Sequence, residues 1–247
     1  MVAVTALLAA GPVIPDYGGA SSCVTQNKVF CWSSFVDDWN SGKYDYEARL
    51  IEHIKLTIIA LVVGFVISFF LALLAYRAKW LAAPVTFLAS LLYPIPSLAT
   101  FFILVPITGI NWWTVEIALV SYTLLTLFTN TLAGLNGVSA EVRDAATGIG
   151  LTDSQLLWKV ELPLAVPAIV AGVRVAAVTT ISLATVAAAI VPAGLGKPIF
   201  DALGSNNFNT AFIAAGTLAV LLALFADALM VIVQRLLTPW AVRRRTA

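Results

Sequence analysis

Five runs of apolar residues, each long enough to cross a lipid bilayer as a helix, constrain what this chain can fold into. A hydrocarbon core of about 30 Å needs about 20 residues of α-helix, and backbone polar groups in lipid must be satisfied within the protein. The runs cover Leu56–Tyr76, Leu81–Ile107, Trp113–Leu135, Ala168–Val191 and Thr210–Leu237. The sequence therefore predicts an all-α membrane protein with five transmembrane helices.

The composition supports this prediction and argues against a soluble protein. Of the 247 residues, 60% are hydrophobic and only 11% are charged, and the mean hydropathy is +0.95. A soluble domain of this composition would expose large apolar patches and aggregate. The net charge of +1 predicts neither a nucleic-acid partner nor an acidic substrate.

Residues 139–167, called the polar segment below, interrupt the apolar pattern and contain two predicted helix starts. The first helix is predicted to begin after Ser139, with the carboxylate of Glu141 near the positive end of the helix dipole. Gly148 and Gly150 are predicted to end it, because glycine adopts the left-handed conformation without strain. A helix followed by a glycine elbow is the first half of a predicted docking element.

The second half of the polar segment predicts another helix, beginning after Thr152 and carrying Gln155 at the capping-box spacing. Its apolar side chains fall on one face, namely those of Leu156, Leu157 and Val160. Pro163 and Pro167 are predicted to close the segment, because proline has no backbone N–H to donate. The alternative to a docking element is an amphipathic loop lying on the membrane surface.

Seven residues of the polar segment stand at the spacing of the "EAA" loop, so the chain resembles the permease subunits of bacterial ATP-binding-cassette (ABC) importers. These residues are Asp144, Ala145, Ala146, Gly150, Val160, Leu162 and Pro163. Asp144 stands where Glu is usual and Val160 where Ile is usual, and both changes keep the charge or apolar character. The resemblance implies a type I importer permease whose cytoplasmic coupling loop, residues 139–167, joins transmembrane helices 3 and 4. The loop would dock on the ATPase subunit through these residues together with Leu151, Thr152 and Gln155.

The same resemblance implies partners. They are ABC ATPase subunits, a second permease subunit that is identical or paralogous, and an extracytoplasmic solute-binding protein, all assembled at the lipid bilayer. The sequence contains no Walker-type phosphate loop. We therefore expect ATP and Mg on the partner ATPase, and we expect this chain to bind no cofactor or metal and to catalyse no reaction itself.

The stretch Ile95-Pro96-Ser97-Leu98-Ala99 is similar to the osmoprotectant branch of these permeases. This similarity implies import of glycine betaine, choline or carnitine, driven by ATP hydrolysis in the partner subunit. One alternative is a methionine-type importer permease, which shares the five-helix plan and the loop. An alternative from another class is a membrane scaffold or sensor that moves no solute. A membrane enzyme is disfavoured, because no acid–base pair, metal cluster or activated nucleophile is visible.

Several polar or helix-breaking residues inside the apolar runs are candidates for the translocation path or a subunit interface. They are Pro94, Pro96, Ser97, Asn130, Thr180, Thr185 and Asp227. The two prolines are expected to bend or break the second helix, either as a packing kink or as part of the path. Asp227 is interpreted as the one acidic residue deep in an apolar run, so it should face the bundle or water and have a partner. Arg174 is expected to snorkel towards the membrane surface.

Basic residues predict the orientation in the cytoplasmic membrane. With five crossings, three groups of them fall on one side, which should be the cytoplasm. They are Arg77 and Lys79, Arg143 and Lys159, and Arg235 with Arg243, Arg244 and Arg245. Residues 1–47 then form an extracytoplasmic tail, residues 48–238 the permease domain and residues 239–247 a basic cytoplasmic tail.

The extracytoplasmic tail contains the two cysteines of the chain, Cys23 and Cys31. An oxidising compartment favours a disulfide between them, and two unpaired thiols are the alternative. Residues 44–55 have the pattern of a helix at the membrane interface, where the single histidine, His53, is expected to lie.

Overall fold

The computed structural model describes residues 29–203 and 208–239, which contain α-helices and no β-strand. The helices of this part are α1 (Trp32–Asn40), α2 (Tyr46–Arg77), α3 (Ala82–Leu92), α4 (Ser97–Thr108), α5 (Trp112–Asn136), α6 (Ala140–Gly148), α7 (Asp153–Leu156), α8 (Leu162–Ala187), α9 (Gly196–Ala202) and α10 (Phe208–Leu237). A 3₁₀ turn, Lys79–Leu81, precedes α3, and a π turn, Leu157–Glu161, joins α7 to α8.

The described residues contain enough apolar helix for the predicted five membrane crossings. Four helical stretches are long and apolar enough to cross a membrane, and α3 and α4 together make a fifth that is bent by 96°. The bend lies at Tyr93–Pro96, where Pro94 and Pro96 lack the N–H groups that would continue the helix. The predicted break in the second apolar run is thereby confirmed.

Helices α2, α5 and α8 form the centre of the bundle, and small residues bring them close together. A Cβ atom at Gly64 would overlap Thr123 Oγ1, and farther along both helices Ser68 Oγ donates to the Leu124 carbonyl at 3.2 Å. These contacts run in the same order along α2 and α5, so the two helices are parallel. The chain between them must therefore return across the bundle, and the bent pair α3–α4 is that return.

The fourth crossing is longer than predicted. Helix α7, the π turn and α8 form one helical stretch, Asp153–Ala187, so the prediction that Pro163 and Pro167 close the polar segment is wrong. Pro163 lies directly after the π turn, whose wider hydrogen-bond spacing accommodates a residue without an N–H. Pro167 lies inside α8, and its carbonyl accepts a hydrogen bond from Gln234 Nε2 of α10 at 3.2 Å. This bond ties α8 to α10, but it does not replace the hydrogen bond that Pro167 removes, which is the one to the Pro163 carbonyl.

At the end of the bundle away from the polar segment, residues of the predicted tail cover α9 and α10. Tyr44 and Tyr46 pack with Ala202 and Ala211, and the backbone N–H of Cys31 donates to Thr210 Oγ1 at 3.1 Å. The predicted interfacial helix at residues 44–55 is the start of the continuous helix α2. Cys23 lies outside the described residues, as do Arg243, Arg244 and Arg245, so the disulfide with Cys31 stays a prediction.

Candidate functional site

The elbow of the polar segment is a Schellman turn at the end of α6. Gly150 has a φ of +88°, and its N–H donates to the Thr147 carbonyl at 2.9 Å. The N–H of Leu151 reaches back to the Ala146 carbonyl at 3.2 Å, which completes the motif. Gly150 ends the helix as predicted, whereas Gly148 remains its last helical residue. The elbow therefore depends on one glycine, since a residue with a Cβ is strained at this φ.

Both helix starts of the polar segment lie where the sequence predicted them. Thr152 and Gln155 form the predicted capping box, with Gln155 Oε1 accepting the Thr152 N–H at 3.0 Å. Ser139 occupies the N-cap position of α6, but its side chain accepts no backbone N–H there. The pKa of Glu141 lies below its ordinary value, because its own backbone N–H and the Ser139 hydroxyl donate hydrogen bonds to the carboxylate.

The polar segment is held to the bundle by a buried ion pair that the sequence did not indicate. Arg143 Nε lies 2.9 Å from Glu161 Oε1, and the Tyr76 hydroxyl donates to the same carboxylate oxygen. Arg143 Nη2 also donates to the Leu135 carbonyl at 2.8 Å, and its guanidinium lies 5.8 Å from the centre of the Tyr76 ring. Glu161 is 4% exposed. This set, called the Arg143 lock below, joins α6 to the end of α2, the end of α5 and the start of α8.

The outward side of α6 presents an apolar stripe at helical spacing, made of Val142, Ala145 and Ile149. Ile149 is 82% exposed and lies at the elbow itself, and Asp144 beside the stripe is also exposed. Ala146 faces the other way and is buried. The stripe and the elbow together are called the knuckle below. An isoleucine this exposed at the tip of a rigid turn is suited to insert into a cleft of another protein.

The remaining residues of the predicted loop support the knuckle rather than extend it. Leu157 is buried and Leu162 packs against the same core cluster, while Val160 and Pro163 are half-buried. On α7 the polar side chains of Asp153, Ser154 and Gln155 are exposed. The predicted division of this helix into an apolar inner face and a polar outer face is thereby confirmed.

The break between α3 and α4 opens a groove of about 410 Å³. Its lining brings Pro94, Pro96 and Ser97 together with Tyr122 of α5 and with Thr179 and Ser182 of α8. The Tyr122 hydroxyl donates to the Ile95 carbonyl at 2.6 Å and lies 2.7 Å from Thr100 Oγ1. Tyr122 thus donates a hydrogen bond to a backbone carbonyl at the break between α3 and α4. The groove is therefore held open by specific side-chain contacts.

Four of the candidate path residues do not line this groove: Asp227, described below, and Asn130, Thr180 and Thr185. Asn130 donates to the Thr126 carbonyl of its own helix at 2.8 Å and packs against Gly172 of α8. Thr180 is buried, and its hydroxyl donates to the Ala176 carbonyl at 2.7 Å. The Thr185 hydroxyl donates to the Ser182 carbonyl at 2.6 Å. In the isolated chain these side chains serve helix packing.

Asp227 is paired with Arg174, in agreement with the expectation that a carboxylate inside an apolar run has a partner. Arg174 Nε donates to Asp227 Oδ1 at 2.9 Å and Arg174 Nη2 to Oδ2 at 3.0 Å, a bidentate pair between α8 and α10. Arg174 therefore forms an ion pair instead of snorkelling. The pair borders a second groove, of about 430 Å³, which Val175, Val178 and Thr179 also line.

Two buried polar residues have surroundings that the sequence did not indicate. Asp227 is not the only acidic residue inside an apolar run, because Glu116 lies in α5 and is 4% exposed. A direct count of charged residues in that run would have found it. His53 is buried inside the bundle, and its Nε2 donates to the Ile181 carbonyl at 3.0 Å. Its Nδ1 accepts the Leu195 N–H at 3.2 Å, so His53 joins α2 to α8 and to the turn before α9.

Comparison with known proteins assigns most of the chain to one type of membrane component. Residues 56–239 match the family of binding-protein-dependent transport system inner membrane components. The choline transport system permease protein OpuBB of Bacillus subtilis (strain 168) is 32% identical over 206 residues, which is 83% of this chain and 93% of the relative. The osmoprotectant import permease protein OsmW of Salmonella typhimurium is 34% identical over 197 residues, covering 78% of this chain and 91% of the relative.

Solved structures agree with the fold. The inward-facing MetNI methionine ABC transporter matches with a TM-score of 0.69 at 19% identity, covering 76% of this chain and 93% of that chain. A structure of an amino acid ABC transporter with histidines matches with a TM-score of 0.67 at 17% identity, covering 80% and 97% of the two chains. At these identities the likeness shows the fold alone.

Proposed function

Because the chain belongs to the family of binding-protein-dependent transport system inner membrane components, we propose that it is the permease subunit of an ATP-driven importer for small osmoprotectants. The names of the relatives support the substrate class, since they are permeases for choline, for carnitine and for glycine betaine. The proposed substrates are therefore small solutes with a quaternary ammonium group, with or without a carboxylate. ATP and Mg are proposed to bind to a separate ATPase subunit.

The observation that carries the proposal is the knuckle held by the Arg143 lock. Ile149 at the knuckle is exposed, yet α6 is tied through Arg143 and Glu161 to the starts or ends of three membrane helices. A partner that moves the knuckle therefore moves the helices, because a hydrogen-bonded and buried junction transmits displacement. ATP binding in the partner would close the ATPase pair and shift α2, α5 and α8 relative to one another.

The proposed sidedness follows from where the basic residues lie in the fold. Tyr76 contacts Glu161, and Gln234 contacts Pro167, so the ends of α2 and α10 and the polar segment share one end of the bundle. The basic residues next to these ends are Arg77, Lys79, Arg143, Lys159 and Arg235. The positive-inside rule supports a cytoplasmic position for this end. A solute-binding protein would then deliver substrate to the opposite end, near α1 and α9.

A second permease subunit is proposed to complete the path. The outward face of α8 exposes Val175, Val178, Thr179 and Ser182 next to the break at Pro94–Ser97. Small side chains allow close approach of another helix in lipid, and the exposed hydroxyl groups of Thr179 and Ser182 at membrane depth need cover from water or protein. The path would run between the two subunits and open alternately to either side.

The test is a matched pair of substitutions at exposed isoleucines on opposite ends of the bundle. Ile149→Glu places a carboxylate on the knuckle, whereas Ile110→Glu makes the same change in the turn between α4 and α5, where Ile110 is 67% exposed. Co-purification with the ATPase and solute-stimulated ATP hydrolysis are measured for both. We expect Ile149→Glu to lose both and Ile110→Glu to keep ATPase association. Equal association of the two variants would contradict docking at the knuckle.

Two other functions are separable by solute uptake in the assembled complex. A methionine-type permease would transport methionine and would not be inhibited by glycine betaine or choline, whereas we expect the opposite. A scaffold or sensor would move neither type of solute. The similarity to MetNI concerns the fold and does not favour methionine.

A further inference from the structure

We propose that Arg174 and Asp227 form a binding site for zwitterionic solutes within the translocation path. In this site the carboxylate of the solute replaces Asp227 at the Arg174 guanidinium, and its quaternary ammonium lies against the Asp227 carboxylate. The inference rests on the proposed transport function and names the side chains that distinguish a zwitterion from a plain cation.

The first observation is the exposure of the pair at membrane depth. Arg174 lies at the middle of the 26-residue helix α8, and the Arg174 and Asp227 side chains are 32% and 39% exposed. A charged pair inside a bilayer faces the protein interior or a water-filled cavity, because contact with lipid is costly. The exposed side of this pair faces a groove of about 430 Å³, which is large enough for a small solute and water.

The second observation is that this groove lies next to the groove at the helix break. Thr179 lines both, so the two are neighbours along the outward face of α8. The groove at the break also carries the aromatic side chains of Tyr93 and Tyr122. Aromatic faces attract quaternary ammonium groups. A solute that enters by the break thus meets aromatic rings first and then the ion pair.

The chemistry of exchange explains why a pair suits a zwitterion. A single charge in the path would bind an oppositely charged solute too tightly, or it would repel the group of a zwitterion that carries the same charge. With Arg174 and Asp227 paired, both charges are satisfied when the path is empty. A zwitterion replaces one ion pair by two and leaves no charge unpaired, which avoids the cost of an unpaired charge at membrane depth. Binding of this kind is readily reversible, as a transport path requires.

The competing interpretation is a static clamp between α8 and α10. A clamp stabilises the fold and affects every substrate equally, whereas a binding site changes the ratio between substrates. Gln234 supplies a matched control, because its side chain also joins α10 to α8, at the Pro167 carbonyl, and does not line the groove.

The experiment uses the full complex of permease, ATPase and solute-binding protein in proteoliposomes. Uptake of radiolabelled glycine betaine and of choline is measured, each at a concentration that saturates the binding protein. Glycine betaine carries a carboxylate and choline does not. We expect Arg174→Gln to lower the uptake ratio of glycine betaine to choline by about tenfold or more, because the carboxylate of the zwitterion then lacks its partner. Gln234→Met should leave the ratio unchanged.

A further variant covers the case in which Arg174→Gln fails to assemble. Arg174→Lys keeps the positive charge but loses bidentate geometry, and it should shift the ratio in the same direction by a smaller factor. Equal loss of both solutes, or an unchanged ratio in the Arg174 variants that assemble, would identify a clamp and overturn the inference while leaving the transport function intact. A wild-type complex that transports neither glycine betaine nor choline would overturn both this inference and the proposed transport function.

Discussion

Replacing Arg143 with Met should release α6 from the bundle, and the size of the effect can be worked out from the contacts. Met keeps most of the side-chain volume but removes the guanidinium. The substitution breaks the ion pair with Glu161 and the hydrogen bond to the Leu135 carbonyl. Among the described residues, it leaves the Tyr76 hydroxyl as the one remaining partner of the Glu161 carboxylate, whose side chain is 5% exposed.

Removing one member of a buried ion pair costs about 3–5 kcal/mol, because the remaining charge is buried without compensation. The lower value applies here, since the Arg143 side chain is 30% exposed and Tyr76 still donates to the carboxylate. A loss of about 3 kcal/mol in the free energy that holds α6 closed raises its open population about 100-fold. The membrane helices need not unfold for this opening, because the lock lies at their ends.

Hydrogen–deuterium exchange of the permease in lipid nanodiscs measures that population directly. The amides of residues 140–148 should exchange about 100-fold faster in Arg143→Met than in the wild type, while those in the middle of α5 keep their rate and serve as an internal control. A change of less than threefold in α6 would refute the lock as the main anchor of the polar segment.

A double-mutant cycle tests the electrostatic part of this reasoning. Glu161→Gln removes the charge and keeps the shape, so the double variant Arg143→Met/Glu161→Gln contains no buried charge without a partner. We expect α6 to be better protected in the double variant than in Arg143→Met alone, since the main cost is the isolated carboxylate. Additive losses would show that the two side chains act independently, against the proposed pairing.

Two further predictions compare glycines. Gly64→Ala should destabilise the bundle by about 2–4 kcal/mol, because its Cβ would overlap Thr123 Oγ1 and force α2 away from α5. Gly216→Ala in α10 should be neutral or slightly stabilising in thermal unfolding, because a Cβ there would meet no other described part of the bundle within 4 Å. Gly150→Ala should strain the elbow by about 1–2 kcal/mol, because the φ of +88° is unfavourable for alanine, and it should lower the uptake per ATP hydrolysed. Gly148→Ala is the control, because it also has open space around its Cβ position but lacks a positive φ, and it should leave the uptake per ATP hydrolysed unchanged. Similar coupling ratios in these last two variants would argue against the elbow as the coupling element.

Much of the candidate site was visible in the sequence because local rules specify it. The left-handed residue at Gly150, the capping box of Thr152 and Gln155, and the break at Pro94–Pro96 each depend on backbone chemistry within a few residues. The continuation of α8 through Pro163 and Pro167 was not visible, since the π turn before Pro163 and the packing of the continuous helix override the local tendency of proline to end a helix. Proline tolerance in a membrane helix is decided by its neighbours.

The sequence by itself determined that the chain forms apolar helices of membrane length, joined by an elbow with two helix starts. Helix length, capping and turn formation are set by short-range energies that follow from residue type and spacing. Only the tertiary structure decided which polar side chains meet. Tyr76 and Glu161 are 85 residues apart and Arg174 and Asp227 are 53 apart. Their pairing depends on which helix faces are turned towards each other, and that rotation is fixed by close packing of the whole bundle around its small residues.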